Sequence, residues 1–405
     1  MLTEALLEDA RAIADRITAL RRAIHAEPEL GLETPKTLAK VRAELADLPL
    51  EWREGPSCTG AIAVLNAGKA GRSVLLRGDM DALPMTEETG LPFASIEAGR
   101  MHACGHDTHT AMLAGAARIL AARADALAGE VRFMFQPGEE GFHGARFMLN
   151  DGLLGGGEHG PLPDAAFALH VMPNAPHGMI GSRAGTLLAS ADMLEIDVVG
   201  RGGHASMPHD TRDPVPVACE IVLGLQTMVT RRFDAAEAVV VTVTQLDAGT
   251  AHNIIPDRVR LKGTIRTLSP GNRGAVAQAI RHLAENIAAA HECTAEVTII
   301  EGFPPTVNDS RAVALAEAVA TALPEGAFMH LPAPIMGAED FSYVLEKVPG
   351  MMAFLGVAEA GADFRQCCGI HSSRMLVDET VLPRGTAFLA GCATLFLERG
   401  WDRAQ

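Results

Sequence analysis

Aromatic residues are scarce, with 14 Phe, two Trp and one Tyr making up 4% of 405 residues. A core must therefore be built from Ala, Leu, Val and Ile, and a hydrophobic fraction of 48% supplies enough of them. Basic charge is short too. Thirty-four Lys and Arg face 50 Asp and Glu, for a formal net charge of −16 and no basic run that reverses it locally. Such a surface repels phosphate backbones, which excludes nucleic acid as a partner. The cysteines, at 58, 104, 219, 293, 367, 368 and 392, are odd in number and lack framework spacing, which points to a reducing compartment and a cytoplasmic location. No run of about 18 apolar residues offers to span a membrane. The N-terminal stretch MLTEALLEDARAIADRI reads as an acidic amphipathic helix, not as a leader. No internal repeat stands out, and the glycines at 155 to 157 fit no phosphate-binding pattern.

What is present is an alternation of helix and strand. The length exceeds that of one hydrophobic core, so two domains are expected. Leu6, Leu7, Ala10, Ile13, Ile17 and Leu20 predict a helix over 3 to 23, and a second follows over 35 to 46. His25, between them, reads as a hydrogen-bonded structural histidine. Apolar runs at 61–65, 74–76, 131–135 and 165–169 predict strands buried on both faces, as in a parallel sheet. Met112, Leu113, Ala116, Ile119 and Leu120 mark a helix, with Asp107 or Thr108 as its N-cap and His106 in the loop before it. Each strand is followed by a polar cluster: Asp79 and Asp81, Glu139 and Glu140, and His170. Open α/β sheets bind ligands at the carboxyl ends of their strands, so these clusters and Cys104/His106 are expected to converge.

From about 184 the pattern becomes β-α-β-β-α-β, the ferredoxin-like split unit. Its strands are read at 193–199, 239–246, 259–267 and 295–300, with helices at 214–231 (Asp213 as N-cap) and 271–291. Afterwards the α/β pattern resumes, with a helix at 310–322, a strand at 353–356 and a last helix at 385–399. The expected organisation is α/β: a catalytic domain over 1–183 and 297–405 with a mostly parallel, helix-flanked sheet, and an inserted ferredoxin-like α+β domain over 184–296.

The stretch HACGHDTH, residues 102 to 109, packs Cys104, His106, Asp107 and His109 together. Alone it is open between a zinc half-site and a polar helix start. Two metal ions a few ångströms apart need about four or five protein ligands and a bridging water. Cys104, His106, Glu140, His170 and His371 supply that number with S, N and O donors. Consecutive residues past a strand end point in different directions, so Glu140 can hold metal while Glu139 takes a proton.

Eight motifs then carry a resemblance: RGDMDALPM (77–85), HACGHDTH (102–109), FQPGEEGFHGA (135–145), ALHVMP (168–173), GRGGHASMPH (200–209), GTAHNIIPD (249–257), GTIRT (263–267) and GAEDFS (337–342). The chain resembles the aminoacylase and carboxypeptidase family of dinuclear metallohydrolases, in the branch of hippurate hydrolases, N-acyl-amino-acid amidohydrolases and auxin-conjugate hydrolases. The resemblance implies Cys104 as bridging ligand, with His106, Glu140, His170 and His371 completing two metal sites. It implies Glu139 as general base and later general acid. It makes the inserted domain a lid and dimerisation surface, with His204 stabilising the oxyanion, in its own subunit or in a partner's site, and Asn253 and Arg266 holding the substrate carboxylate.

Two departures matter. Distant members carry His-x-Asp where this chain has Asp79-Met80-Asp81, so His106 is taken as the replacement ligand and Asp81 as a carboxylate that supports it. After His371 the stretch IHSSRMLVDE lacks the Pro and aromatic residue common there. Cys367 and Cys368 are given no catalytic role, and His109, His143, His177 and His209 are not taken as ligands. The expected activity is hydrolysis of a small N-acyl amino acid with two divalent ions (zinc, manganese, cobalt or nickel), by a homodimer or higher homo-oligomer, with no nucleic acid and no membrane partner. A dipeptidase or N-carbamoyl amidohydrolase is the alternative, ahead of a non-catalytic binding relative.

Overall fold

The apolar runs expected to be buried strands are buried. In the computed structural model, which describes residues 2–402, they are β2 (Ala61–Leu65), β3 (Arg72–Asp79), β4 (Gly129–Gln136) and β5 (Ala165–Met172), and all of β2 and β4 is shielded from solvent. With β1 (Leu50–Glu54), β6 (Ile180–Ser182) and the strands Phe328–His330 and Gly350–Gly356 they form an eight-stranded sheet. Its order is β1-β2-β4-β3-β5, then Gly350–Gly356, β6 and Phe328–His330. The centre, from β4 through β3 and β5 to Gly350–Gly356, is parallel. The β1-β2-β4 side is antiparallel, as is the pairing of β6 with Gly350–Gly356.

Four helices precede or flank the centre: α1 (Leu2–Ala12), α2 (Ala14–Ala26), α3 (Pro35–Glu44) and α4 (His106–Ala121). The single helix expected over 3–23 is two, parted at Ile13, where the backbone leaves helical geometry (φ −110°, ψ 11°). Helix α4 packs on β3, and against it lies the last helix, Leu382–Arg399. By length and mean hydropathy the stretch Glu379–Arg399 could cross a membrane, although Glu379, Arg384, Glu398 and Arg399 interrupt it and leave no run of about 18 apolar residues. It is instead largely buried in the protein's own core, with residues such as Leu113, Phe133 and Phe167. Length and apolarity alone do not separate a core helix from a spanning one.

The described residues divide into two units: one runs to Leu187 and includes Val307–Ala333 and Asp340 onward, the other is Leu188–Thr306 with Pro334–Glu339. The second has a four-stranded antiparallel sheet in the order Val239–Asp247, Arg258–Thr267, Ala191–Val199, Thr294–Phe303. Ala191–Val199 alternates buried and partly exposed positions, the period-two signature of a sheet with one covered face. Helices Pro214–Arg232 and Pro270–Ala290 share its core, the first begun by the Asp213 carboxylate accepting the Val215 N–H at 2.9 Å. The strand order and alternating helices are those of the ferredoxin-like unit. The boundary drawn between 296 and 297 cuts through Thr294–Phe303, which pairs with Ala191–Val199, so the division falls after Thr306 instead.

Candidate metal centre

Parallel β3, β4 and β5 end on the same side, and their chain continuations carry the chemistry. Asp79 ends β3 with Asp81 just beyond, Glu139 and Glu140 follow β4, and His170 lies inside β5, which runs on to Met172. Cys104 and His106 arrive at the start of α4. Here the expected cap is corrected: α4 starts at His106 itself, and Gly105 precedes it at φ +86°. Asp107 does not cap the helix because its buried carboxylate is taken by Arg21 Nε at 2.7 Å and His25 Nδ1 at 2.8 Å. A Cβ on Gly105 would sit 2.3 Å from Val171 Cγ2, so glycine there serves both the left-handed turn and the close approach to β5. His371 also has a left-handed backbone (φ +63°), and its N–H donates to the Ala103 carbonyl at 2.6 Å.

The side chains gather tightly. Cys104 Sγ is 3.3 Å from His170 Nε2, and His371 Nε2 is 3.2 Å from Glu140 Oε1. His106 Nε2 faces Asp79 Oδ2 at 3.5 Å and both Glu139 Oε2 and Glu140 Oε1 at 3.9 Å. Two ligand-like triads, Cys104/His106/His170 and Cys104/Glu140/His371, each have donor atoms within 4.8 Å of one another and share the Cys104 sulfur. Asp81 organises the neighbourhood: one carboxylate oxygen accepts the Glu139 N–H and the other the Glu140 N–H, both at 3.0 Å. The Asp81 carbonyl accepts from His106 Nδ1 at 2.8 Å, which leaves Nε2 as the open nitrogen.

The electrostatics favour cations. Burial opposes protonation of His106, yet Asp79 and Cys104 outweigh it and hold the ring well above its usual range. Hydrogen bonds with Cys104 and Glu140 push His371 up to about 10. Burial pushes the Cys104 thiol up, while it holds His170, beside His109, well below the usual imidazole range. Burial opposes ionisation of Glu140, but His371 and His106 keep it below the carboxylate norm. The acceptor-rich cluster thus draws protons onto two imidazoles that a bound cation would displace. His106 Nε2 is buried with no hydrogen-bond partner, an orphaned polar atom that a divalent ion would satisfy. The donor set of thiolate, imidazole and carboxylate fits borderline transition metals.

A model of peptidase family M20/M25/M40 matches residues 75–394. The chain belongs to peptidase family M20/M25/M40. It is 38% identical over 400 residues to IAA-amino acid hydrolase ILR1-like 2 of Arabidopsis thaliana, covering 97% of this chain and 88% of that one. It is 37% identical over 389 residues to N-acetylcysteine deacetylase of Bacillus subtilis, covering 96% and 98%. Among solved structures, the Bacillus subtilis YXEP protein, described as a dinuclear metal binding peptidase from the M20 family, superposes with a TM-score of 0.83 at 35% identity, over 96% of this chain and 99% of that one. This M20 chain is accordingly a metallo-amidohydrolase with two divalent metal ions as its cofactor.

The remaining candidates of the M20 chain lie in the second unit. His204 is exposed on the two-residue strand Gly203–His204, paired with Ile254. Its Nδ1 accepts from the Ser206 N–H at 3.1 Å and lies 2.8 Å from the Ser206 hydroxyl, so Nε2 carries the hydrogen of the neutral ring. Asn253 is exposed, and its carbonyl accepts from the Ala205 N–H at 3.1 Å. Arg266 lies opposite Val240, half-buried. Of the histidines not taken as ligands, His143 meets the Tyr343 hydroxyl at 2.9 Å, His177 the Ala358 carbonyl at 3.0 Å, and His209 is exposed. His109 is buried beside the centre, 2.6 Å from Asp79. His25 is structural, held between Asp107 and Glu87. Asp340 was marked only by its motif. It accepts from Gln136 Nε2 at 2.6 Å and from the Ala145 N–H at 2.9 Å, beside Arg77.

Proposed function

We propose that this protein hydrolyses N-acyl amino acids, in the manner of a hippurate hydrolase or aminoacylase, to a carboxylic acid and a free amino acid. Cys104, His106, Glu140, His170 and His371 would hold the two ions. The observation that carries this reading is the pair of triads meeting at the Cys104 sulfur, with Glu139 close enough to group with His106 and Glu140 beside them. When bound, the ions supply Lewis acidity and make water nucleophilic near neutral pH.

Glu139 accepts the proton from the attacking water and passes it to the leaving nitrogen. Asp81 aims it, since the carboxylate that receives the Glu139 amide also receives that of Glu140 and so sets the two side chains apart. His204 offers its Nε2–H to the developing oxyanion. Arg266 and Asn253 bind the α-carboxylate, the guanidinium through paired hydrogen bonds. The names of the two relatives given above support an acyl or acyl-like group on an amino acid. The metal is zinc, manganese, cobalt or nickel, which the mixed donor set accepts alike. The protein works as a homodimer or higher oligomer in the cytoplasm, a location consistent with its seven unpaired cysteines.

The test is a panel of acetyl, benzoyl, carbamoyl and aminoacyl derivatives of one amino acid, run with each metal in turn. Cleavage of acetyl or benzoyl derivatives, abolished by chelation, is expected. Turnover confined to the aminoacyl or the carbamoyl derivative would replace this reading by a dipeptidase or an N-carbamoyl amidohydrolase.

A further inference from the structure

A run of hydrogen bonds lies behind His170, and it reaches the centre at one other point, where Asp79 Oδ2 lies 3.5 Å from His106 Nε2. It begins where the sheet leaves a backbone group without a strand. β3 pairs with β5 only as far as Arg77 opposite Ala168, whereas β5 continues to Met172. The buried Val171 N–H donates to His109 Nε2 at 2.8 Å, an acceptor no strand supplies. His109 Nδ1 lies 2.6 Å from Asp79 Oδ1, and Asp79 Oδ2 lies 2.7 Å from Arg77 Nη1, all within the protein interior. A carboxylate paired with arginine only accepts, and an amide N–H only donates. One neutral tautomer of His109, with hydrogen on Nδ1 and a lone pair on Nε2, satisfies both.

The same logic continues to the other side of Val171. Its carbonyl accepts from His170 Nδ1 at 2.7 Å, so the hydrogen of His170 is on Nδ1 and its bare Nε2 points at Cys104 Sγ, 3.3 Å away. Val171 is also hemmed by Gly105, which leaves no room there for a side chain. We infer that His109 is a positioning residue for His170: through the N–H and carbonyl of Val171 it sets the orientation and tautomer with which His170 meets a metal ion, and Asp79 and Arg77 brace it. A histidine that only filled space on α4 would need neither bond. The inference rests on the reading of His170 as a ligand.

The test uses the metal-free full-length chain titrated with Co²⁺. The thiolate-to-cobalt absorption reports Cys104, the d–d bands report the ligand set, and chelator competition reports affinity. Hydrogen exchange over 168–172 reports Val171. In folded His109→Phe one of the two ions should bind roughly 10- to 100-fold more weakly, the usual effect of removing a partner that orients a ligand. The d–d bands should shift and exchange at Val171 should accelerate. A folded His109→Phe with wild-type affinity, bands and protection overturns the inference, as does a fall in melting temperature alone. If His109→Phe does not fold, His109→Gln and His109→Asn decide: Gln reaches the Val171 N–H and should bind cobalt more tightly than Asn, and equal or reversed affinities overturn the inference. Should the wild-type chain take up no cobalt at Cys104, the reading of the metal centre fails instead.

Discussion

The two units treat their candidate residues in opposite ways. In the first, Asp81, Cys104, His106, Glu139 and His170 are buried, Glu140 is partly buried, and only His371 is exposed, its backbone N–H tied to Ala103; each is held by a backbone group or a neighbouring side chain. In the second, His204 and Asn253 are exposed and Arg266 is half-buried, on a short strand, a turn and a sheet strand. Burial makes polar groups expensive unless they are paired, so the first unit's residues are locked before any ligand arrives. Exposed groups keep the freedom to move and pay for ordering only on binding. Under the proposed roles, the buried groups of the first unit serve chemistry that tolerates little displacement, and the exposed groups of the second would be ordered when substrate binds.

That contrast can be broken most directly at Glu139. Glu139→Gln keeps shape but not basicity, and kcat should fall by about 10²–10⁴-fold with both metal ions still bound, measured by metal analysis of the same sample. Retained turnover would remove Glu139 from the proposed role. His204→Ala should lower kcat by roughly 10²–10³-fold, as loss of an oxyanion donor does, while stability in urea stays within about 0.5 kcal/mol, as for an exposed residue. A large loss of stability would mean that the second unit's candidates are structural after all. Arg266→Ala should raise KM about ten- to a hundredfold with kcat little changed, the mark of a charged hydrogen bond lost equally from ground and transition states. A fall in kcat alone would argue against a carboxylate clamp.

The smallest effect concerns the first unit's buried charges away from the metal ligands. Burial opposes ionisation of Glu87, but bonds from His25, the Ser95 N–H and Thr89 hold its carboxyl down from 4.5 to about 2. A depressed carboxyl contributes stability that is complete above 4.5 and lost as pH falls through about 2. Glu87→Gln should flatten urea stability against pH in that window, by roughly 1 kcal/mol once solvent screening is allowed for. An unchanged slope would show that this network carries no net stabilisation.

Much of this was legible in the residues. Apolar runs marked the central strands because buried parallel strands need apolar side chains on both faces. Asp213 and Pro214 marked a helix start because the cap is local chemistry. The cap of α4 was misread for the converse reason: Asp107 has the right side chain, but Arg21 and His25, more than 80 residues earlier, claim it. The domain edge at 296 failed because strand length depends on a partner strand that no local signal describes. The last helix, expected over 385–399, begins at Leu382 and lies within the core.

By itself the sequence determined the periodic elements, the acidic balance and the types of donor at each strand end, since these follow from side-chain chemistry and spacing over a few residues. Only the tertiary structure decided which donors meet at Cys104, that Asp81 receives the amides of both glutamates, and that His109 stands behind His170. Those outcomes depend on where strands stop pairing and on which distant groups compete for the same buried hydrogen bond. A chain read residue by residue does not contain those distances.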